Sequence, residues 1–309
     1  MTAGQAAPAH RTTGPRVAVA VATYRRPAGL QATVDSLQVA REQQPFRLLV
    51  VDNDPQGSAR DVVVDPALEL DYRVEPRPGI AAARNRLLEG LRPDDDCVVF
   101  LDDDEVVDPD WLHALVSSWQ SSGADVVVGP VLPVLEPGAP AWVRRGGFFD
   151  RPRQETGSPV RWPATNNVLI SRPALELLAG EHFSEAWSAT GGSDSELFAR
   201  LRRAGARILW CDEAVVSESV PASRASARWL WRRGVRLGNV SARLKQSRVP
   251  RAGLVAIGVG RAAYGVLATL AGLLLRGHVQ ARHAMHVPKG VGMAAAALGR
   301  LHQEYRRAA

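Results

Sequence analysis

The stretch VVFLDDDEVVDPDW, residues 98–111, joins an apolar run directly to Asp102, Asp103, Asp104 and Glu105. The β-branched and aromatic run predicts a buried strand, so four carboxylates follow the strand end. Carboxylates that crowd together repel one another, and a divalent cation relieves this repulsion. Mg²⁺ and Mn²⁺ prefer oxygen ligands and take one or two protein carboxylates together with phosphate oxygens. Because alternate side chains of an extended segment point the same way, Asp102 and Asp104 can share one pocket. The alternative is an acidic loop that binds no ion.

Strand and helix patterns alternate around this stretch. Strands are predicted at residues 16–23, 46–54, 71–76, 97–101, 124–134, 164–171 and 206–218, and helices at residues 29–42, 79–91, 109–120 and 191–205. Such alternation predicts an α/β fold with a mainly parallel sheet flanked by helices. Ligands of these sheets bind beyond the carboxyl ends of the strands. Thr23, Asp52 and the aspartates at 102–104 fall at those ends, so the sequence predicts chemistry on one rim.

Two further segments carry local predictions. Residues 136–163 are rich in Pro, Gly, Arg and Trp without a clear period, which indicates a loop and suggests a mobile lid over the site. In the helix at 191–205, Ser193 and Glu196 have the spacing of a capping box, and Gly205 ends the helix.

The net charge of +6 divides unevenly along the chain. Residues 1–218 hold 22 arginines and 31 acidic residues, whereas residues 219–303 hold 14 basic residues and none that are acidic. So sharp a reversal predicts a second electrostatic task in the C-terminal part, although a merely solvated face is the alternative. An anionic membrane surface suits this charge. Nucleic acid is not an expected partner, because no nucleic-acid-binding fold is evident.

Residues 253–275 contain one charged residue, Arg261. The uninterrupted part, residues 262–275, is shorter than the ~20 residues of a membrane-spanning helix. We therefore expect an interfacial helix, with a true span, a buried helix or an oligomer contact as alternatives.

Cys97 and Cys211, the only cysteines, lie in apolar runs and are predicted to be reduced core thiols. Residues 1–15 lack the apolar segment of a secretory signal and are predicted to be a disordered tail. The expected location is cytoplasmic, peripheral at the inner face of the cell membrane.

Five motifs together resemble a known family. VAVATYRRP, VVDNDP, PGIAAARNRLLE, FLDDDE and GGSDSELFARLRRAG occur in the order seen in inverting family-2 glycosyltransferases of the Rossmann-like GT-A fold. The resemblance covers about residues 16–220 and implies that this part is the catalytic domain. Residues 221–309 then form a C-terminal helical, basic and apolar appendage that associates with the membrane.

The resemblance implies roles for the nucleotide-binding residues. Thr23 and Tyr24 would lie at the base and ribose. Asp52 would accept a hydrogen bond from the base, which suits the imide N–H of uracil. Arg84 and Asn85 would lie near the ribose and the diphosphate.

The same resemblance implies the catalytic groups. Asp102 and Asp104 match the Asp-x-Asp element that reaches the ribose and the metal-bound diphosphate, and Asp103 could share that task. Asp194 matches the catalytic base, although Ser193 stands where the family has a glutamate. Glu218 is one candidate for the place of a histidine near the metal.

A partial Arg-Trp motif follows the predicted catalytic domain. It places Arg228, Arg232 and Arg233 where they could meet a diphosphate or an anionic lipid.

The implied activity is transfer of a sugar from a nucleotide diphosphate sugar, with a UDP-sugar favoured and Mn²⁺ or Mg²⁺ as cofactor. The acceptor would be a glycan or a lipid-linked molecule in envelope polysaccharide, glycolipid or other glycan synthesis. One alternative is a sugar nucleotidyltransferase, but TYRRPAGL follows the first strand where such enzymes carry a Gly-rich loop. Another is a catalytically inactive, membrane-recruited protein that binds nucleotide sugars.

Overall fold

The computed structural model describes residues 14–62, 65–188 and 190–301, so residues 1–13 of the predicted tail lie outside the described part. Its main sheet has the strand order β3-β2-β1-β4-β8-β6-β9. These strands are β1 (Val17–Thr23), β2 (Arg47–Asp52), β3 (Leu70–Val74), β4 (Cys97–Asp102), β6 (Val126–Val128), β8 (Val168–Ser171) and β9 (Ile208–Trp210). A smaller sheet has the order β5-β10-β7, from β5 (Glu105–Val107), β7 (Val131–Leu135) and β10 (Val216–Val220).

Ten α-helices surround and follow the sheets in the described residues. They are α1 (Pro27–Ala40), α2 (Ile80–Leu88), α3 (Trp111–Ser122), α4 (Ala141–Gly146), α5 (Arg172–Glu176), α6 (Ser193–Arg203), α7 (Ala227–Lys245), α8 (Arg251–Arg276), α9 (Ala281–Ala284) and α10 (His286–Ala297). A 3₁₀-helix at Glu185–Trp187 precedes α6.

The predicted mainly parallel sheet is confirmed. β1 pairs in parallel with β2 and β4, whereas β8 runs antiparallel to both β4 and β6. Alternate residues of the central strands face opposite cores, as the pleat requires. Val19 and Val99 pack with α1 and α3 on one face, and Ala20 and Phe100 pack with α2 and α6 on the other. This two-sided burial fixes the register that brings Thr23 opposite Asp52 and Ala22 opposite Asp102.

Two predicted strands are each divided in the structure. Residues 124–134 form β6 and β7 on either side of Gly129, and residues 206–218 contain β9 and the start of β10. The parts belong to different sheets. A side chain at position 129 would collide with Ala214 and Asn167, so the change of sheet between β6 and β7 requires a residue without a Cβ.

The prediction of an irregular lid at 136–163 is wrong for residues 141–146, which form α4. Val143 and Phe149 are buried with Val220 and Leu230 in one apolar cluster. The segment is therefore packed onto β10 and α7.

The predicted capping box at α6 is also wrong. Gly192 is the N-cap residue, with φ 98°, and no side chain caps the helix. Ser193 is instead the first residue of the helix, and Glu196 pairs with Arg200 at 2.8 Å. Gly205 follows the helix with φ 93°, consistent with its predicted place at the end.

The C-terminal helices pack through glycines. Gly258 of α8 and Gly290 of α10 bring the two backbones into contact, and Gly238 does the same for α7 and α10. α8 continues through Arg261, whose Nε donates to His286 Nδ1 at 3.1 Å. Within the described residues, α8 alone has the length and apolar character to cross a membrane, and little of its surface is buried.

Candidate active site

A cleft of about 670 Å³ opens at the carboxyl ends of β1 and β4 and is closed on one side by α7. Eight residues singled out from the sequence line it: Thr23, Tyr24, Arg84, Asp102, Asp103, Asp104, Glu218 and Arg233. The other charged or aromatic lining residues are Arg26, Arg224, Trp229 and Arg236. The structure therefore brings the acidic strand end and the basic start of the C-terminal region together.

Asp103 anchors the acidic turn. Its carboxylate accepts hydrogen bonds from Thr23 Oγ1 at 2.7 Å and from Arg26 Nη1 at 3.2 Å. Burial raises the pKa of Asp103, while Thr23 and Arg26 oppose that rise. These contacts engage both carboxylate oxygens of Asp103 within the protein, and Arg26 also links it to Asp104.

Asp102 and Asp104 differ in how they are paired. Asp104 contacts Arg26 at 2.9 Å and Arg224 at 3.4 Å. Asp102 meets Arg84 at 3.4 Å and keeps 43% of its side chain exposed. Protein atoms packed around Asp102 raise its pKa to about 6; Arg84 opposes this rise, and the charge of Asp104 adds to it. Asp102 is thus the carboxylate most available to a cation.

Glu105 binds the backbone of Asp102 from inside the protein. It is fully buried, and its carboxyl accepts hydrogen bonds from the Asp102 backbone N–H at 2.9 Å and from Asn166 Nδ2 at 3.1 Å. Burial, and then the charge of Asp102, hold the pKa of Glu105 well above its ordinary value. The sequence suggested no task for Glu105, because a buried carboxyl cannot be told from an exposed one by its position in an acidic run.

The α7 wall of the cleft is strongly basic. Arg233 lies over the Trp229 ring at 5.2 Å, and burial lowers its pKa to about 10. The Nε atom of Arg236 is buried and has no hydrogen-bond partner among the described residues. Glu218 contacts both Arg151 and Arg224, so it balances only part of this charge. An anion that entered the cleft could therefore accept hydrogen bonds from these guanidinium groups.

Of the three arginines predicted to meet a diphosphate or an anionic lipid, Arg233 lines the cleft. Arg228 and Arg232 are exposed and do not line the cleft. Arg236 was missed, although its spacing from Arg233 could have indicated a shared face of α7. Arg224 was also missed; it precedes α7 and carried no such signal.

Two residues predicted to contact the nucleotide are engaged within the protein. Asp52 is fully buried, and its carboxylate accepts hydrogen bonds from Asp54 N, Ala59 N and the Tyr72 hydroxyl at 2.7–3.0 Å. It holds the loop after β2 and does not line the cleft.

Asn85 exchanges two hydrogen bonds with the backbone of Phe183, at 2.8 and 2.9 Å. It therefore fixes the segment after α5 onto α2 and does not line the cleft.

Asp194 lies in the first turn of α6 and is half-buried. Its Oδ1 accepts a hydrogen bond from Ser195 N at 2.7 Å. It is not among the residues that line the cleft.

Metal-binding residues are limited in number. Across residues 14–62, 65–188 and 190–301, no three His, Cys, Asp or Glu side chains converge as a metal site. Cys97 and Cys211 are both free and buried, as predicted.

Comparison with known proteins gives a consistent picture. Residues 18–178 match the family model described as Glycosyl transferase family 2. The chain is 38% identical over 232 residues to the succinoglycan biosynthesis protein ExoM of Rhizobium meliloti (strain 1021). This match covers 73% of this chain and 74% of that relative.

Solved structures share the fold. The mannosyltransferase PcManGT from Pyrobaculum calidifontis, solved with GDP-Man and Mn²⁺, matches 93% of this chain and 87% of its own with a TM-score of 0.61 and 21% identity. TarS 1–349 of S. aureus matches 93% of both chains with a TM-score of 0.51 and 15% identity. Because residues 221–309 are more than a quarter of the sequence, matches of this extent include most of the C-terminal helices.

Proposed function

Because this chain belongs to glycosyltransferase family 2, we propose that it transfers a sugar from a nucleotide diphosphate sugar to an acceptor hydroxyl with inversion at the anomeric carbon. One observation carries the proposal. In the cleft, Asp102 and Asp104 face an α7 wall that presents Arg233 and Arg236. This arrangement offers carboxylates to a cation and guanidinium groups to a diphosphate, which are the two charges of a nucleotide-sugar complex.

The donor would occupy the cleft with its nucleoside beside β1. Thr23 and Tyr24 lie there, and Arg84 sits across from them beside Asp102. The volume of about 670 Å³ lies within the ~300–1,000 Å³ usual for ligand sites. We assign Thr23 and Tyr24 to the nucleoside and Arg84 to the ribose and diphosphate.

The chemistry of Asp102 and Asp104 fits a hard divalent cation. Both offer oxygen ligands, and Asp102 has only one long contact to give up. Two protein carboxylates leave the remaining coordination positions to diphosphate oxygens and water, as Mg²⁺ and Mn²⁺ favour. When bound, the cation would stabilise negative charge on the departing nucleoside diphosphate. Arg26 and Arg224 balance Asp104 before the donor enters.

Asp194 is the proposed general base. The acceptor hydroxyl would attack the anomeric carbon while its proton passes to the Asp194 carboxylate. The bond from that carbon to the diphosphate oxygen breaks on the opposite face, so a single displacement inverts the configuration. General-base help is worth ~10²–10⁴ in rate.

The nucleobase is open to experiment. The preference for UDP depended on Asp52, and its burial removes that argument. Asn53 is also engaged, since it donates to Glu75 O at 2.8 Å and accepts from Gly79 N at 3.0 Å. Selection of the base therefore has to use backbone atoms or Tyr24.

The acceptor and the location are part of the same proposal. A relative named for succinoglycan biosynthesis supports a role in polysaccharide synthesis. The acid-free, arginine-rich C-terminal helices support attachment to an anionic cytoplasmic membrane surface and a lipid-linked acceptor.

The test is a screen of UDP-, GDP- and dTDP-sugars for binding, hydrolysis and transfer, each with Mn²⁺, Mg²⁺ or a chelator. We expect one donor class to bind in the presence of metal and to be turned over slowly by water. No metal-dependent binding of any donor would contradict the proposed donor complex. Binding without hydrolysis or transfer to any acceptor would favour the inactive binding protein. The nucleotidyltransferase alternative has no support from the family match.

A further inference from the structure

A second cavity, of about 390 Å³, lies between α7, α8, the segment that contains α4, and the chain around α9. Its wall is almost entirely hydrocarbon and includes Trp142, Phe148, Trp231 and Leu270. Thr269 supplies the only polar side chain of the lining. We call this cavity the apolar groove. Its size is within the range of ligand sites, and its lining suits a ligand without polar groups.

The apolar groove continues onto an exposed apolar surface. Val266 and Leu270 belong to its wall, and Leu267, Leu273 and Leu274 extend the same helix face or its flank into solvent. Soluble monomeric proteins rarely expose apolar side chains in such density, so this surface marks an interaction site.

The groove and the cleft share α7. Trp229 and Arg233 line the cleft, whereas the neighbouring residues Leu230 and Trp231 line the groove. Neighbouring residues of the segment after α4 likewise face the cleft side and the groove. Phe149 stacks on Trp229 at 5.6 Å, whereas Phe148 lines the groove. A molecule that occupies the groove therefore ends one layer of side chains away from the cleft.

The charge around the groove favours an anionic amphiphile over a second copy of this chain. No acidic residue occurs between positions 219 and 303, and Arg228 and Arg232 of α7 are exposed. A second copy that docked through the same surface would bring the same positive charge to the contact and would be repelled. A phosphate attached to a hydrocarbon chain would complement both the arginines and the groove.

We propose that the apolar groove binds the hydrocarbon chain of a lipid phosphate or lipid diphosphate, whose head carries the acceptor sugar into the cleft. The assignment of the head as acceptor rests on the proposed function, but binding of the chain does not. The groove then sets the distance between the lipid anchor and the sugar that is extended.

The binding test uses the full-length protein and dodecyl phosphate with a photoreactive diazirine at the chain end, below its critical micelle concentration. We expect crosslinks to map to the groove, at Trp142, Trp231 and residues 266–270. Unlabelled dodecyl phosphate should suppress them, and inorganic phosphate at the same concentration should not. Crosslinks spread over the whole exposed face of α8, or suppressed by inorganic phosphate alone, would overturn the proposal.

A matched pair of variants separates the groove from general adsorption. Leu270→Gln changes a groove residue that is 53% exposed, and Leu274→Gln makes the same change one turn later at a residue that is 87% exposed and outside the groove. Both positions tolerate a polar side chain because water already reaches them. We expect Leu270→Gln to weaken dodecyl phosphate binding about tenfold, because a Leu contact is lost, and Leu274→Gln to leave it within about twofold.

Equal losses of dodecyl phosphate binding in the two variants would show that the lipid adsorbs to the whole helix face. That result would overturn the proposal that the groove binds it. A dimer in analytical ultracentrifugation that Leu270→Gln dissociates would assign the surface to a second copy of the chain and would also overturn the proposal. Donor binding, measured in the same samples, keeps the proposals apart. Donor binding without labelling of the groove would reject the lipid site and leave the proposed function standing. Labelling of the groove without donor binding would reject the proposed function and leave the lipid site standing.

Discussion

The guanidinium group of Arg243, on α7, lies 3.7 Å from the centre of the Trp187 ring, in the segment that leads into α6. Arg243 Nη1 also donates to Thr190 Oγ1 at 2.5 Å. Between these contacts and Asp194 lies Gly192, where a Cβ would collide with Val240 of α7. The C-terminal helix thus holds the turn that presents the proposed base.

The first prediction concerns this contact. Arg243→Ala should lower kcat by roughly 10- to 100-fold, because a base displaced by ~1 Å can lose about 10² in rate. The KM for the donor should stay unchanged, because Arg243 does not line the cleft. Steady-state kinetics at saturating acceptor measure both constants. Arg248→Ala, at an exposed position just beyond α7, is the control. Equal losses in kcat and in donor affinity would contradict a role through Asp194.

The second prediction tests the base itself. Asp194→Asn keeps the size of the side chain and its acceptor for Ser195 N–H but removes the basic carboxylate. Transfer should fall by ~10²–10⁴, while donor affinity measured by calorimetry stays within about twofold, a shift of under ~0.5 kcal/mol. Glu196→Gln, two residues on, removes an ion pair with Arg200 and should leave the rate nearly unchanged. Loss of donor binding in Asp194→Asn would make Asp194 a structural residue instead.

The sequence predicted those features that local patterns determine. The apolar runs ending at Thr23 and Asp102 indicated both strands and their shared rim, because buried parallel strands align their carboxyl ends. The pattern of apolar residues could not predict which way a single side chain points at that rim. Asp52 stands opposite Thr23 in the sheet, yet its carboxylate is taken by the loop that returns to it at Ala59.

The wrong prediction at α6 has a similar cause. Ser193 and Glu196 have capping spacing, but the chain enters the helix through Gly192 in a left-handed conformation, so the first helical residue is Ser193 itself. Packing of Val240 and Trp187 against Gly192 requires that glycine. Contacts between segments this far apart in sequence cannot be inferred from one chain, and the same limit hid the contact of Arg224 with Asp104.

The third prediction concerns the α7 wall. Arg236→Gln removes a guanidinium whose buried Nε has no partner in the described structure and which lines the cleft. A charge-assisted hydrogen bond to a diphosphate is worth ~1.5–3 kcal/mol, so donor affinity should fall about 10- to 100-fold. Arg232→Gln, one turn earlier and exposed, should change it by less than twofold, a difference of under ~0.5 kcal/mol. Calorimetric titration with nucleoside diphosphate and Mn²⁺ compares the two variants. Equal affinities would show that Arg236 is not a diphosphate ligand.

The fourth prediction concerns the membrane. Deleting the C-terminal region would remove α7, and with it Trp229, Arg233 and Arg236 of the cleft, so point substitutions on α8 are the better test. Leu267 and Leu274 are exposed and lie off the seam through which α8 meets α10. Leu267→Glu with Leu274→Glu should release the protein from anionic vesicles in a flotation assay. Each exposed leucine contributes ~1.5–3 kcal/mol of burial when it enters the bilayer interface.

The salt dependence of the same assay distinguishes an interfacial helix from a spanning one. An interfacial helix depends on arginine contacts with anionic lipids, so wild-type binding should weaken as salt rises from 50 to 500 mM, because the Debye length falls over this range from ~14 Å to ~4 Å. α10 covers one side of α8 through Gly258 and Gly290, and Arg261 lies within that pair beside His286. Insertion across the bilayer would have to separate the helices or carry Arg261 into hydrocarbon at a cost of ~2.5–3.5 kcal/mol. Binding that resists both high salt and alkaline carbonate would contradict the interfacial arrangement and establish a span.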